Sequence, residues 1–202
     1  MKKMGIRLRC RLAVRTRMVT SVLFFGLLIV SGCQSIPKHH SSCLQKANVN
    51  LNDFEISGKL ALSDGQEGGS GRFIWRQQGA WVSTQFKAPM GQGSWLIEET
   101  SDGATLIINN EDPYYAHYAE TLIADAVGWA VPWQALKQWF RVRPLNLDQA
   151  DVQFNQTSQT IAEQGWTIVY DRFDDGPRGC LPHRIMASKP PYSIRLVIRQ
   201  WQ

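Results

Sequence analysis

Few residues of this 202-residue chain stand at spacings that could do chemistry. The natural ligands and nucleophiles are four cysteines (Cys10, Cys33, Cys43, Cys180) and four histidines (His39, His40, His117, His183). No cysteine pair has the close spacing of a zinc site, and no histidine falls in a His-Glu-x-x-His motif. Gly68-Gly69-Ser70-Gly71 resembles a nucleophile elbow in composition but lacks the strand-to-helix context such a serine needs. Asp174-Asp175-Gly176-Pro177-Arg178-Gly179 has the composition of a metal loop and reads better as a long hairpin turn. His39-His40 could chelate a metal but reads better as part of a solvated linker. The expectation is therefore no catalytic residue, no metal and no enzyme. What remains is Cys33, preceded by Val30-Ser31-Gly32. Small residues leave the backbone before it accessible, and its thiol is a nucleophile.

The segment ahead of that cysteine has its own pattern. Lys2, Lys3, Arg7, Arg9, Arg11, Arg15 and Arg17 lie in residues 1–17, with no acidic residue among them. An apolar run from Met18 to Val30 follows, broken only by Thr20, Ser21 and Gly26. A basic start, a short apolar run and small residues at its end make a secretory signal. A spanning helix needs roughly 20 apolar residues, so this run is too short to be one. With Val30-Ser31-Gly32-Cys33 behind it, the segment resembles the lipobox signal of bacterial lipoproteins. The resemblance implies cleavage before Cys33, and covalent diacylglycerol and N-acyl chains on that residue. A chance cysteine at an ordinary cleavage site is the alternative. Gln34, where an aspartate usually retains a lipoprotein in the inner membrane, implies the periplasmic face of the outer membrane. The expected organisation is a lipoprotein signal peptide over 1–32, a lipidated cysteine with its tether over 33–50, and a single domain over 51–202.

Processing changes the charge. The whole chain is formally +5, with 22 basic and 17 acidic residues. Seven basic residues and no acidic one leave with residues 1–32, so 15 basic stand against 17 acidic in what remains. A net charge of −2 gives no electrostatic case for nucleic-acid binding. Cys43 and Cys180 would then face an oxidising compartment, as a disulfide between them or as two thiols.

The elements read as follows. Residues 34–48 are polar and read as a linker. Alternation over 54–62, 70–77 and 80–87 predicts three strands, and 93–98 and 104–109 two more, with Asp102-Gly103 as a hairpin turn. Helical periodicity then places Leu122, Ile123, Ala126 and Val127 on one face over 119–129. It does the same for Trp133, Leu136, Trp139 and Phe140 over 132–142, with Pro132 suited to a first helical turn. Strands resume around 152–154, 165–171, 182–188 and 192–201. Two helices inserted in a long antiparallel series predict an α+β fold, a curved sheet cupping the helices.

Several of these segments together resemble the LolB family. They are the first strand with Gly58, the Phe73-x-Trp75 strand, and the turn Ala88-Pro89-Met90-Gly91. The helical pair follows, with Ala119-Glu120-Thr121-Leu122, Gly128-Trp129-x-x-Pro132 and Leu136-x-x-Trp139. The order covers roughly residues 52–145. In the family the turn usually reads Pro-Leu-Gly, and a glycine tends to follow the helix tryptophan. Here Met90 takes the leucine position, and Phe140-Arg141-Val142-Arg143-Pro144 contains no glycine. The resemblance implies a half-open β-barrel closed by helices around an apolar cavity, as in the LolA and LolB folds. It implies a monomeric outer-membrane receptor that takes acylated lipoprotein cargo from the periplasmic carrier LolA and inserts it into the outer membrane, with no cofactor. A lipoprotein that binds another apolar ligand, or scaffolds an envelope assembly, is the alternative.

The candidate wall of such a cavity is Phe54, Ile56, Phe73, Trp75, Trp95, Ile97, Trp129 and Trp139. Simple filling of a core is the alternative for each. Met90, between Pro89 and Gly91, is an apolar residue in a turn where polar ones are usual. It is either a membrane-insertion loop or tucked under its own turn.

Overall fold

Along Phe54-Glu55-Ile56-Ser57 the apolar residues are buried and their neighbours face outward, the period-2 pattern of a half-buried strand. The computed structural model describes residues 51–202. The expected signal peptide, the lipidation site Cys33, and the tether with His39, His40 and Cys43 lie outside the described residues.

Within 51–202 the strands are β1 (Asp53–Ser63), β2 (Gly68–Gln78), β3 (Trp81–Lys87), β4 (Ser94–Glu99), β5 (Ala104–Ile108) and β6 (Tyr114–Ala116). Helices α1 (Ala119–Val127) and α2 (Trp133–Trp139) follow. Then come β7 (Asp151–Phe154), β8 (Ser158–Glu163), β9 (Trp166–Gly176), β10 (Gly179–Lys189) and β11 (Tyr192–Trp201). All form one 11-stranded sheet in the order β6-β5-β4-β3-β2-β1-β11-β10-β9-β8-β7. Each neighbouring pair is antiparallel. The sheet is open, with β6 and β7 as its edges. The chain leaves by one edge and re-enters at the other, so the helical segment between them has to cross a face of the sheet.

That face is the apolar one. Phe73 and Trp75 on β2 pair in register with Phe86 and Thr84 on β3, and Phe86 and Thr84 with Trp95 and Ile97 on β4. In the other half Ile161, Ile168, Tyr170, Ile185, Ile194 and Leu196 are at most 1% exposed. Gly58 lets β1 bend. The register against β11 shifts between Ser57 and Gly58, and a Cβ on Gly58 would sit 2.1 Å from the Val197 carbonyl oxygen. A bulge of this kind sharpens local twist and curves the sheet.

Several details differ from the sequence pattern. β8 is not marked by hydrophobicity, because two of its three inward residues are polar: Gln159 and Glu163 are buried beside Ile161. β6 has three residues, two of them exposed tyrosines. The expected long turn at Asp174–Gly179 is mostly strand, since Asp174 and Asp175 pair with Leu181 and Cys180 in the β9–β10 ladder. Cys180 is buried and disulfide-bonded, so it is not a free thiol. Pro132 precedes α2 as its cap rather than opening its first turn. α1 stops at Gly128, which adopts a left-handed conformation and donates its N–H to the Ala124 carbonyl. α2 ends sooner than expected, and Val142 takes φ +59°, where a glycine would sit without strain.

Candidate functional site

Between α1, α2 and the β1–β4 part of the sheet lies an apolar hollow of about 340 Å³. That is within the usual range of small-molecule pockets, about 300–1,000 Å³. Phe73, Trp75, Phe86, Trp95 and Ile97 supply the sheet side. Ile123, Val127, Trp129, Val131, Trp133, Leu136 and Phe140 supply the helical side. The rings interlock. Trp75 packs on Trp133 at 4.7 Å and meets Phe140 edge-on at 4.6 Å, while Phe86 lies 5.8 Å from Trp95. Trp129 stacks on Tyr192 at 4.8 Å. Ser63, Asp64, Glu67 and Gln92 add a polar fringe. The Glu67 and Gln66 backbone N–H groups hold the Asp64 carboxyl below the usual carboxylate range.

Five of the eight sequence candidates therefore line the hollow: Phe73, Trp75, Trp95, Ile97 and Trp129. Phe54, Ile56 and Trp139 do not, and their assignment to the wall is corrected. Phe54 packs against Trp201 at 6.0 Å, beyond the hollow's end. Ile56 is fully buried between the register partners Trp75 and Trp201. Trp139 faces the other half of the sheet, 5.5 Å from Trp166, and donates its indole N–H to Glu163. The sequence reading missed Phe86 and Trp133 as wall residues. Phe86 alternates in step with Thr84 and Val82 along β3, and Trp133 shares a helix face with Leu136, so both carried a usable signal.

Two buried carboxylates fasten α2 over the sheet. Glu99, at the end of β4 and 5% exposed, accepts from the Trp133 indole at 2.9 Å, the Gln134 amide at 3.2 Å and the Lys137 ammonium at 2.6 Å. Glu163, at the end of β8 and 4% exposed, accepts from Trp139 and from the backbone N–H groups of Leu145 at 2.8 Å and Asn146 at 3.3 Å. Such groups are tolerated inside a fold only when their hydrogen bonds are made. No local motif announces either glutamate, because each partner is at least 17 residues away in sequence.

The turn Pro89–Gly91 stands between β3 and β4. Pro89 borders the hollow, whereas the Met90 side chain is 99% exposed and turned away from it. The alternative of Met90 tucked under its own loop is therefore not what the fold adopts. Met90 also holds a left-handed backbone, φ 54° and ψ 24°. A methionine there carries both solvent exposure and backbone strain, neither of which helps folding.

The other residues singled out for chemistry are placed as structure. His183 bonds the Ile198 carbonyl through Nδ1 at 3.0 Å, and His117 lies against Tyr118. Gly68–Gly71 form the start of β2. Among the described residues, no group of three or more His, Cys, Asp or Glu side chains could hold a metal ion.

Comparison with known proteins finds relatives over most of the chain. The family model "Outer membrane lipoprotein LolB" matches residues 52–201. The outer-membrane lipoprotein LolB of Alkalilimnicola ehrlichii is 30% identical, over 89% of this chain and 96% of its own. That of Ralstonia nicotianae is 28% identical, over 89% of this chain and 94% of its own. Among solved structures, a LolA superfamily protein from Nitrosomonas europaea superposes with a TM-score of 0.48 at 9% identity, covering 83% of this chain and 94% of that one. From residue 52 to residue 201, with its open sheet, crossing helices and apolar hollow, the chain belongs to the LolB family of outer membrane lipoproteins.

Proposed function

We propose that this protein is an outer-membrane receptor for lipoproteins. It accepts them from the soluble periplasmic carrier LolA, shelters their acyl chains in the hollow, and delivers them to the outer membrane. The chain is held on the periplasmic face of that membrane by diacylglycerol and an N-acyl chain on Cys33. It works as a monomer, without cofactor and without catalysing a reaction. The observation that carries this reading is an aromatic-lined apolar hollow whose rim includes Pro89, next to the outward-turned Met90.

The physical reasoning is one of transfer between apolar media. Each methylene moved into water costs about 0.8 kcal/mol, so acyl chains cannot cross the periplasm unescorted. The receptor has to dock with the carrier directly, bind the chains more tightly than the carrier does, and yield them to the bilayer. Phe73, Trp75, Trp95, Ile97 and Trp129, with Phe86, Trp133 and Leu136, are the residues assigned to hold the chains. Met90, Pro89 and Gly91 are assigned to the membrane step.

The test is transfer. Carrier loaded with labelled lipoprotein is mixed with this protein, without any energy source, and the two are separated by affinity pull-down. Movement of label onto this protein is the expected result. No movement, with a folded receptor and a competent carrier, would overturn the receptor reading in favour of a lipoprotein that binds another apolar ligand or scaffolds an envelope assembly.

A further inference from the structure

On the side of the sheet away from the helices, the strand register lines up positive charges. Lys59 on β1 is the direct partner of Arg72 on β2, and Arg72 is the direct partner of Lys87 on β3. Arg195 on β11 stands opposite Ala61, two residues along β1 from Lys59. These four cations and the Met90 turn line one outward hollow of about 1040 Å³, and no acidic residue is among its lining.

Three features separate this shelf from ordinary surface charge. Like charges placed directly across a ladder repel, so the sheet holds this row at a cost to its own stability. Elsewhere on the sheet Arg76 is neutralised by Glu55 at 2.6 Å, and Arg184 by Asp171. Among the described residues Lys59, Arg72, Lys87 and Arg195 have no such partner. The surplus is also local, because residues 33–202 carry more acidic than basic side chains.

We propose that this shelf binds the anionic phosphate headgroups of bilayer phospholipid and thereby seats the Met90 turn in the membrane. Lys87 runs directly into Ala88-Pro89-Met90, so a cation collar and an exposed apolar tip share one concavity. That pairing matches the layering of a lipid surface, with phosphate outside and hydrocarbon just beneath. An acidic protein surface would satisfy the cations and leave Met90 in water. The proposal rests on the membrane-delivery reading and adds to it the lipid chemistry that the receptor's outer face selects.

The experiment uses the full acylated protein in vesicles of phosphatidylcholine, alone or mixed with phosphatidylglycerol. Hydrogen exchange is followed at the backbone amides of residues 87–94. The expected result is slower exchange in the vesicles containing phosphatidylglycerol, fading at high salt because the shelf is exposed. Replacing Lys59, Arg72, Lys87 and Arg195 together by glutamine abolishes the difference, each cation accounting for up to about fivefold in seating. Unchanged exchange at the β1–β11 ladder verifies that the variant is folded. If it is not, the pair Lys59→Gln and Arg195→Gln is used, with a smaller fall expected. Equal exchange in both vesicle types would overturn the proposal. So would slowing that survives the folded variants, or slowing that requires an acidic protein in place of the lipid. Cargo transfer measured on the same vesicles separates the two readings. Transfer without headgroup-dependent exchange sinks the shelf alone, and headgroup-dependent exchange without transfer sinks the receptor alone.

Discussion

Replacing Met90 with glutamate separates cargo acceptance from membrane delivery. Met90 is 99% exposed, so the fold loses no packing with its side chain. It borders the outer hollow and is absent from the lining of the apolar one, so cargo binding loses no contact either. Moving a methionine side chain from water into hydrocarbon yields about 1.5–3 kcal/mol. Losing that contribution weakens the seating of the turn about ten- to a hundredfold. A glutamate at the same tip adds repulsion from anionic headgroups. The assay has two stages run on one preparation: uptake of labelled lipoprotein from the carrier, then release into vesicles. Uptake is expected to stay within about twofold of the parent and release to fall by at least about tenfold. Met90→Gly is the strain control. It removes the side chain while relieving the left-handed backbone, so it slows release yet leaves thermal stability within a few degrees. Normal release by Met90→Glu would refute the role of the turn. Loss of uptake and release together would show that the turn serves the hollow rather than the bilayer.

Three other outcomes follow from buried groups and from the helix end. Glu163→Ala strands the Trp139 indole and the Leu145 and Asn146 amides, and should cost about 3 kcal/mol or more in urea unfolding; a cost below about 1 kcal/mol would mean the carboxylate does not fasten α2. Val142→Gly removes a β-branched side chain from φ +59°, so it should be near neutral where a half-buried valine elsewhere would be costly to delete; a loss above about 2 kcal/mol would refute the strain account. Among the described residues the buried Tyr170 hydroxyl has no hydrogen-bond partner, and burial pushes its pKa well up. Tyr170→Phe should therefore keep or raise stability by about 1 kcal/mol, and a melting temperature lowered by several degrees would reveal a bond to that hydroxyl.

Much of the fold was legible because its causes are local. Alternation in Phe54–Leu62 and in Phe73-x-Trp75 marks strands whichever sheet they join, and the faces of α1 and α2 repeat with the helical period. The Pro89-Met90-Gly91 turn announced itself as an apolar residue set where polar ones belong. The order of these segments was enough to suggest the family. Residues whose burial depends on distant partners were not legible. The β8 strand hides its pattern because Gln159 and Glu163 occupy inward positions, and Glu163 is admitted there only by donors that arrive from α2 and the segment after it. The division of the large apolar residues also required the tertiary structure. Phe54 and Ile56 alternate along β1 as Phe73 and Trp75 do along β2, and Trp139 shares a helix face with Trp133, yet Phe54, Ile56 and Trp139 lie outside the hollow. The difference is set by where the crossing segment lies over the curved sheet, which alternation along any one strand cannot encode. The cationic shelf has the same origin. Lys59, Arg72, Lys87 and Arg195 are scattered singly along the chain, and only the register of β11, β1, β2 and β3 brings them to one surface beside Met90.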